Sequence, residues 1–252
     1  MAKTKALILC GGPGVRLRPI TYYFQKTMIP IGIKQKPLLE YVVRLLKFHG
    51  IKDLTLLVKY KYEQILNYFD DGSRFGVKIS YVHDDPNLKG TGGSILNAYH
   101  KGMMTTKDTI LVYYGDILTN INLKDMVNYH KKRKALATVD LASGFSVRVG
   151  LAEIDEEGKI LGFVEKPVLE RPVSIGVVVL DGKVLGYMNS FQKSIESEEI
   201  DLMRDVIPYL LKLDKPVYGY LTDAFWYDVG STEAYEKLNP KMVEDLMSFL
   251  FE

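Results

Sequence analysis

Apolar residues along this chain recur with two different spacings. Residues 6–10 form an unbroken apolar run ended by glycines, the pattern of a strand buried on both faces. Similar runs at 54–58, 77–82 and 109–114 predict three more strands. Between the runs the apolar positions return at helical spacing. Over 37–48, Leu38, Val42, Leu45 and Leu46 share one face, Pro37 suits a first turn, and Gly50 follows as a stop. Helices are likewise expected over 62–69, 94–103 and 123–133. Strand and helix therefore alternate to about residue 130. That alternation predicts an α/β fold, a mostly parallel mixed sheet with helices on both faces and right-handed crossovers. Ligands of such sheets sit beyond the C-terminal strand ends, which singles out the loops after Cys10 and Tyr114.

The texture changes after residue 134. Strands are expected at 135–141, 147–154, 160–164, 175–180 and 216–221, with helices at 201–213 and 232–238. Pro208 should break or kink the first of these helices. No Pro/Gly/Ser-rich linker separates the halves. The expectation is one domain over 1–240, its strand-rich second half (135–240) adding a lid to a cleft shared with the first (1–134). A helical tail follows at 241–252. Its segment 242–250 is amphipathic, leaving open whether it packs on the body or on a second copy in a homo-oligomer.

Composition narrows the functional classes. Of 252 residues, 47% are hydrophobic and 25% charged, which excludes disorder across the whole chain. Lys and Arg number 33 against 31 Asp and Glu, too balanced a charge to drive sequence-independent nucleic-acid binding. Cys10 is the single cysteine, so no intrachain disulfide can form and a cytosolic setting is favoured. No apolar run is long enough for a signal peptide or a membrane span. The four histidines form no metal-binding spacing.

The loop after the first strand reads Gly11-Gly12-Pro13-Gly14-Val15-Arg16-Leu17-Arg18. Glycines let backbone approach a ligand closely, and successive N–H groups can cradle phosphate oxygens. Arg16 would add a bidentate cation. Taken alone, the loop is equally a tight surface turn with solvated arginines. The dinucleotide fingerprint is excluded, because Leu17 replaces its third glycine and Lys59-Tyr60 stand where its acid belongs. No P-loop motif occurs.

A longer pattern is more specific. Gly11-Gly12-x-Gly14-x-Arg16-Leu17-x-Pro19-x-Thr21, then Lys26 and Met28-Ile29-Pro30-Ile31-Gly32, resembles the signature of the sugar-1-phosphate nucleotidyltransferases, which include mannose-1-phosphate guanylyltransferases and glucose-1-phosphate thymidylyltransferases. The resemblance continues through Gly90-Thr91-Gly92-Gly93, Gly115-Asp116, Phe163-Val164-Glu165-Lys166-Pro167 and Trp226-Tyr227-Asp228-Val229-Gly230, in order, over about residues 5–235. It implies a Rossmann-like fold with a nucleotide-binding half and a smaller sugar-binding portion.

The implied reaction joins an NTP and a sugar 1-phosphate into an NDP-sugar, releasing pyrophosphate. Its obstacle is the meeting of two polyanions. One pair of like charges ~4 Å apart costs roughly 4 kcal/mol at an effective dielectric near 20. By resemblance, Leu9, Gly11, Gly12, Gly14, Arg16 and Gly90 bind the nucleotide, with Arg16 holding the leaving pyrophosphate and Lys26 neutralising the reacting phosphates. Asp116 and Asp228 hold Mg²⁺, and Gly150, Glu165 and Lys166 meet the sugar phosphate. Asp85 faces the base, with Asp84 as its alternative. A carboxylate only accepts hydrogen bonds, which suits the donor edge of guanine and favours GTP. The rival expectations are a glucose-1-phosphate thymidylyl- or uridylyltransferase and a non-catalytic, NDP-sugar-binding regulatory subunit of the same fold.

The chain also departs from that family's pattern. Val15 replaces a threonine, Gln25 and Thr27 replace the prolines flanking Lys26, and Ser174 replaces an asparagine that touches the sugar. A more mobile Lys26 loop is expected from the second departure, and an open sugar identity from the third. No segment resembles the left-handed β-helix that many relatives carry, so neither acetyl transfer nor a helix-driven trimer is expected.

Overall fold

The computed structural model describes residues 3–145, 147 and 149–252. The chain runs β1 (Thr4–Cys10), β2 (Pro30–Ile31), β3 (Lys36–Pro37), α1 (Leu38–Phe48), β4 (Asp53–Val58), α2 (Tyr62–Phe69), β5 (Lys78–His83), α3 (Gly90–His100), β6 (Thr109–Tyr114), β7 (Ile117–Thr119), α4 (Leu123–Arg133), β8 (Ala137–Ala142), β9 (Leu151–Ile154) and β10 (Ile160–Val164). There follow β11 (Val173–Asp181), α5 (Val184–Ser194), α6 (Ile207–Lys212), β12 (Val217–Thr222), β13 (Trp226–Asp228), α7 (Thr232–Lys237) and α8 (Pro240–Met247).

Seven strands form one sheet in the order β12-β8-β11-β6-β1-β4-β5. Only β11 runs against the rest, antiparallel to both β6 and β8. The apolar runs are buried on both faces with period two. In β1, Ala6, Ile8 and Cys10 pack with α1, α2, α4 and α8, while Leu7 packs on the opposite side with α3, α5 and α6. The strand order reverses at β1, flanked by β4 and β6. The loops leaving β1 and β6 therefore open a crevice at the sheet's carboxyl edge.

Most expected elements are present, and the differences have local causes. α3 starts at Gly90 rather than at 94 because the glycine run forms its first turn. There the Gly92 and Gly93 N–H groups donate to Ile200 O at 2.8 and 3.2 Å, and a β-carbon at Gly93 would lie 2.5 Å from Leu88 backbone. The helix expected at 201–213 begins as a π-helical turn, Leu202–Val206, which runs directly into α6, and Pro208 sits at that change of helical spacing. The strand expected at 147–154 spans Leu151–Ile154, and Arg148 lies outside the described residues. Helix α5 and the short β7–β13 pair were not expected. The tail packs in cis: Arg44 Nη1 donates to Leu250 O at 3.2 Å, and Tyr41 and Phe251 meet edge-on with centroids 5.1 Å apart. Among the described residues no helix is long and apolar enough to cross a membrane.

Candidate active site

The glycine loop leaves the end of β1 and turns back at once. Gly14 adopts φ +61°, and a β-carbon there would stand 2.8 Å from Thr21 Cγ2 and 3.2 Å from Lys26 Cβ. Gly14 thus brings Thr21 and Lys26 close to the loop rather than facing a ligand itself. Thr21 Oγ1 donates to Gly14 O at 2.8 Å and closes the turn. Leu9, Gly11, Gly12, Lys26 and Gly90 line a cavity of about 550 Å³ over the carboxyl edge of the sheet. Cys10 lines it too, but burial pushes its thiol up to about 12, which removes it as a nucleophile.

The Lys26 loop differs from expectation. Gln25 is fully buried. Its Nε2 donates to Cys10 O at 2.6 Å, while its Oε1 accepts from Thr27 N–H at 2.6 Å and Thr27 Oγ1 at 2.7 Å. Its own N–H donates to Gln64 Oε1 at 2.7 Å. The two residues standing in for prolines therefore fasten the loop to β1 and α2 through hydrogen bonds. Rigidity there comes from bonding instead of ring closure, and no sequence signal separates a loop glutamine of this kind from a solvated one.

Asp85 does not face this cavity. Its Oδ1 accepts from Asn87 N–H at 2.8 Å, so it initiates the turn before α3. Asp84, the alternative, lines the cavity instead. Its Oδ1 accepts from Ser94 Oγ at 2.9 Å, and its Oδ2 would lie 2.9 Å from a β-carbon placed on Gly11. The missing side chain at Gly11 keeps the space in front of the Asp84 carboxylate open, beside Lys59. β5 ends at His83, so a difference of one position decides which aspartate turns inward.

A second cavity, of about 960 Å³, adjoins the first. Tyr114 and Asp116 line both, so Asp116 sits at their junction. Lys26 Nζ is ion-paired to Asp116 there. The β7–β13 pairing sets Asp228 opposite Ile117, and Val229 N–H donates to Asp116 O at 3.0 Å. This short pair makes neighbours of two aspartates that stand 112 positions apart in the sequence (228 − 116). Arg16 lines the larger cavity, not the smaller. A β-carbon at Gly230 would lie 2.5 Å from Asp228 Oδ1 and 3.0 Å from Arg16 Nη2, so all three converge.

Two hard carboxylates facing one cleft suit a divalent cation that takes its remaining ligands from phosphate oxygens and water. Among the described residues, no group of three His, Cys, Asp or Glu is placed to hold a metal ion. The donor set therefore fits a shared substrate-bound cation better than an all-protein metal cage.

The remaining residues expected to bind the sugar phosphate lie outside both cavities. Gly150 lies against Glu165, since a β-carbon there would be 2.9 Å from Glu165 Oε2. Glu165 and Lys166 form an open ion pair at 3.8 Å, each side chain more than 60% exposed. They follow directly on β10, whose pairing with β9 makes a two-stranded ribbon separate from the main sheet. Its stem is closed by Val147 N–H donating to Pro167 O and Leu169 N–H to Phe145 O, both at 2.8 Å. Phe145 in turn stacks on Trp226, centroids 6.0 Å apart. The larger cavity is lined instead by Val173, Ser174, Ile175 and Gly176, along with Asp201 and Trp226. Asp201 was not expected: it accepts from Thr91 Oγ1 at 2.9 Å and links the glycine turn of α3 to the larger cavity.

The family model described as nucleotidyl transferase matches residues 5–245. The chain is 35% identical over 251 residues to a UTP–glucose-1-phosphate uridylyltransferase of Synechocystis, covering 92% of this chain and 61% of that protein. It is 30% identical over 246 residues to a mannose-1-phosphate guanylyltransferase of Mycobacterium tuberculosis, covering 96% of this chain and 65% of that one. It thus spans under two thirds of either relative. Among solved structures, a Bacillus anthracis protein described as a glucose-1-phosphate thymidylyltransferase superposes with TM-score 0.74 at 26% identity over 94% of both chains.

Proposed function

Because the chain belongs to the nucleotidyl transferase family, we propose that it joins an NTP to a sugar 1-phosphate, giving an NDP-sugar and pyrophosphate. A phosphate oxygen of the sugar 1-phosphate attacks the α-phosphorus, a new P–O bond forms, and the α–β anhydride bond breaks as pyrophosphate leaves. No protein nucleophile takes part, so the chain contributes position and charge. The observation that carries this reading is the shared wall: Tyr114 and Asp116 border both cavities, so ligands in the two would meet beside Lys26 and Asp116.

On this reading the smaller cavity takes the NTP against the Gly11-Gly12 backbone, and the larger takes the sugar phosphate. Lys26 neutralises the converging phosphates, and Arg16 does so from the sugar side. Asp116 and Asp228 would hold Mg²⁺, which supplies Lewis-acid polarisation of the phosphates when bound. Each aspartate would then trade contact with a neighbouring cation for contact with the metal. Asp84 accepts from the base, which favours GTP, since guanine offers two adjacent donors to a carboxylate. The name of the Synechocystis relative supports UTP with glucose 1-phosphate as the competing pair. Glu165 and Lys166 stand outside the larger cavity, so their contact with the sugar phosphate requires the ribbon to move toward it.

The test is a matrix of Mg²⁺, each NTP and a panel of sugar 1-phosphates, read by pyrophosphate release. Turnover with GTP above the other NTPs, with mannose 1-phosphate or glucose 1-phosphate as the second substrate, is expected. Silence in every combination, with NDP-sugar still bound, would replace catalysis by a regulatory binding role.

A further inference from the structure

β8 lies inside the main sheet, between β12 and β11, and carries one residue that its position disfavours. Asp140 is fully buried there, with Val139 and Leu141 beside it in the strand. A carboxylate at mid-sheet is unfavourable unless several donors reach it. Three donors do. Ser174 Oγ and Ile175 N–H donate to Oδ1, each at 3.3 Å, and Val177 N–H donates to Oδ2 at 2.8 Å.

All three donors come from one irregularity. The β8–β11 ladder pairs Ser174 with Leu141 and resumes at Val178 with Val139, so the residues between leave the register. A bulge of this kind detaches backbone N–H groups from the ladder and re-aims the side chains. Here Asp140 accepts the detached N–H groups of Ile175 and Val177. Gly176 lies at φ +98°, and a β-carbon there would stand 2.7 Å from Ile117 Cγ1. The bulge is thus held from behind by Asp140 and fitted closely against β7 in front. Residues 173–176 face the larger cavity.

Sheet stability alone does not account for the choice of an acid. Burial lifts the Asp140 carboxyl to about 7, the desolvation outweighing its bonds from Val177, Ile175 and Ser174. Near neutral pH the carboxylate therefore weakens the fold that contains it. Its return is the shape of the cavity wall.

We propose that Asp140 is a positioning residue for the sugar 1-phosphate: from behind the sheet it fixes the bulge at 174–177, and so sets the wall that the sugar meets. The proposal rests on reading the larger cavity as the sugar-phosphate side. Asp140 itself does not line the cavity, so it acts through Ser174, Ile175 and Gly176.

The experiment measures KM for the NTP and for the sugar 1-phosphate separately in Asp140→Asn and Asp140→Ala, using the pair that the unaltered protein turns over best. Asp140→Ala is expected to raise KM for the sugar 1-phosphate about tenfold and to leave KM for the NTP within about twofold. Asp140→Asn keeps one acceptor oxygen and should give a smaller rise. Equal rises in both KM values, or an unchanged sugar-phosphate KM in a folded variant, overturn the proposal. If Asp140→Ala does not fold, Asp140→Asn carries the same criterion. Silence of the unaltered protein with every pair defeats the proposed function instead. Amide hydrogen exchange on Asp140→Asn then decides this inference by itself: faster exchange confined to 173–178 supports it, and unchanged exchange there overturns it.

Discussion

Beside the smaller cavity the Lys26 loop is fastened to the sheet behind it, whereas the ribbon that leads into Glu165 and Lys166 stands apart, with Ile154, Ile160 and Phe163 each 60% exposed. The contrast follows from where each segment finds hydrogen-bond partners. The Lys26 loop is secured by the Gln25 amide to β1 and by Gln64 to α2. The β9–β10 ribbon pairs within itself and is closed at its stem. The wall of the smaller cavity, proposed for the NTP, is therefore held by internal hydrogen bonds, while the larger cavity, proposed for the sugar 1-phosphate, combines a wall at 173–176 with a neighbouring ribbon separate from the main sheet. A reaction between two anions benefits from such a division, since one substrate can be held rigidly while the other still has a way in.

The comparison can be broken at its junction first. Asp116→Asn removes a carboxylate from the wall of both cavities and should lower turnover by about 10²- to 10³-fold, as loss of a group aimed at transition-state charge does elsewhere. Thermal unfolding should shift little, because Asp116 is partly exposed and no core packing is lost. Near-normal pyrophosphate release at saturating Mg²⁺ would remove Asp116 from the chemistry.

Gln25→Ala tests the rigid side. It leaves Cys10 O and Thr27 N–H unsatisfied in a buried place, for a loss of about 1–3 kcal/mol in denaturant unfolding. Turnover should also fall, roughly tenfold, as Lys26 loses its fixed direction. A stability loss without a rate loss would show that the clamp serves folding alone.

Acid sharpens the contrast from the helix α4 packed on the sheet. Burial holds the His130 imidazole down at about 4, and its Nδ1 lies 2.9 Å from Thr138 Oγ1. The unfolded chain takes up a proton near 6.5 that the folded chain refuses until about 4. The His130 contribution to stability should therefore be complete above pH 6.5 and decline from there towards pH 4, against the opposite slope that Asp140 gives over the same range. In His130→Gln that part of the slope should vanish, as read from urea midpoints across the range.

The smallest effect belongs to the ribbon. Phe163→Ser should change stability by less than about 0.5 kcal/mol, since the ring is already largely in water. The same replacement should raise KM for the sugar 1-phosphate if the ribbon closes over the larger cavity. A large stability loss would mean that the ribbon is packed in solution, and the contrast would fail.

Local sequence determined the elements and the identity of most groups at the site. The apolar runs at 6–10 and 109–114 became β1 and β6 because a strand buried on both faces tolerates little else, and the loops after them became the crevice. The motif residues Gly11, Lys26, Asp116 and Asp228 were legible because their chemistry is local to each short segment. Pairings between distant segments were left to the tertiary structure. It set Asp228 beside Asp116 through β7 and β13, turned Asp84 rather than Asp85 into the cleft, and made Gln25 a clamp. It also kept Glu165 and Lys166 outside the cavity, and it buried Asp140 behind the wall that Ser174 presents. Most of these outcomes depend on which donors and acceptors meet between segments ten or more residues apart, and no local spacing encodes that.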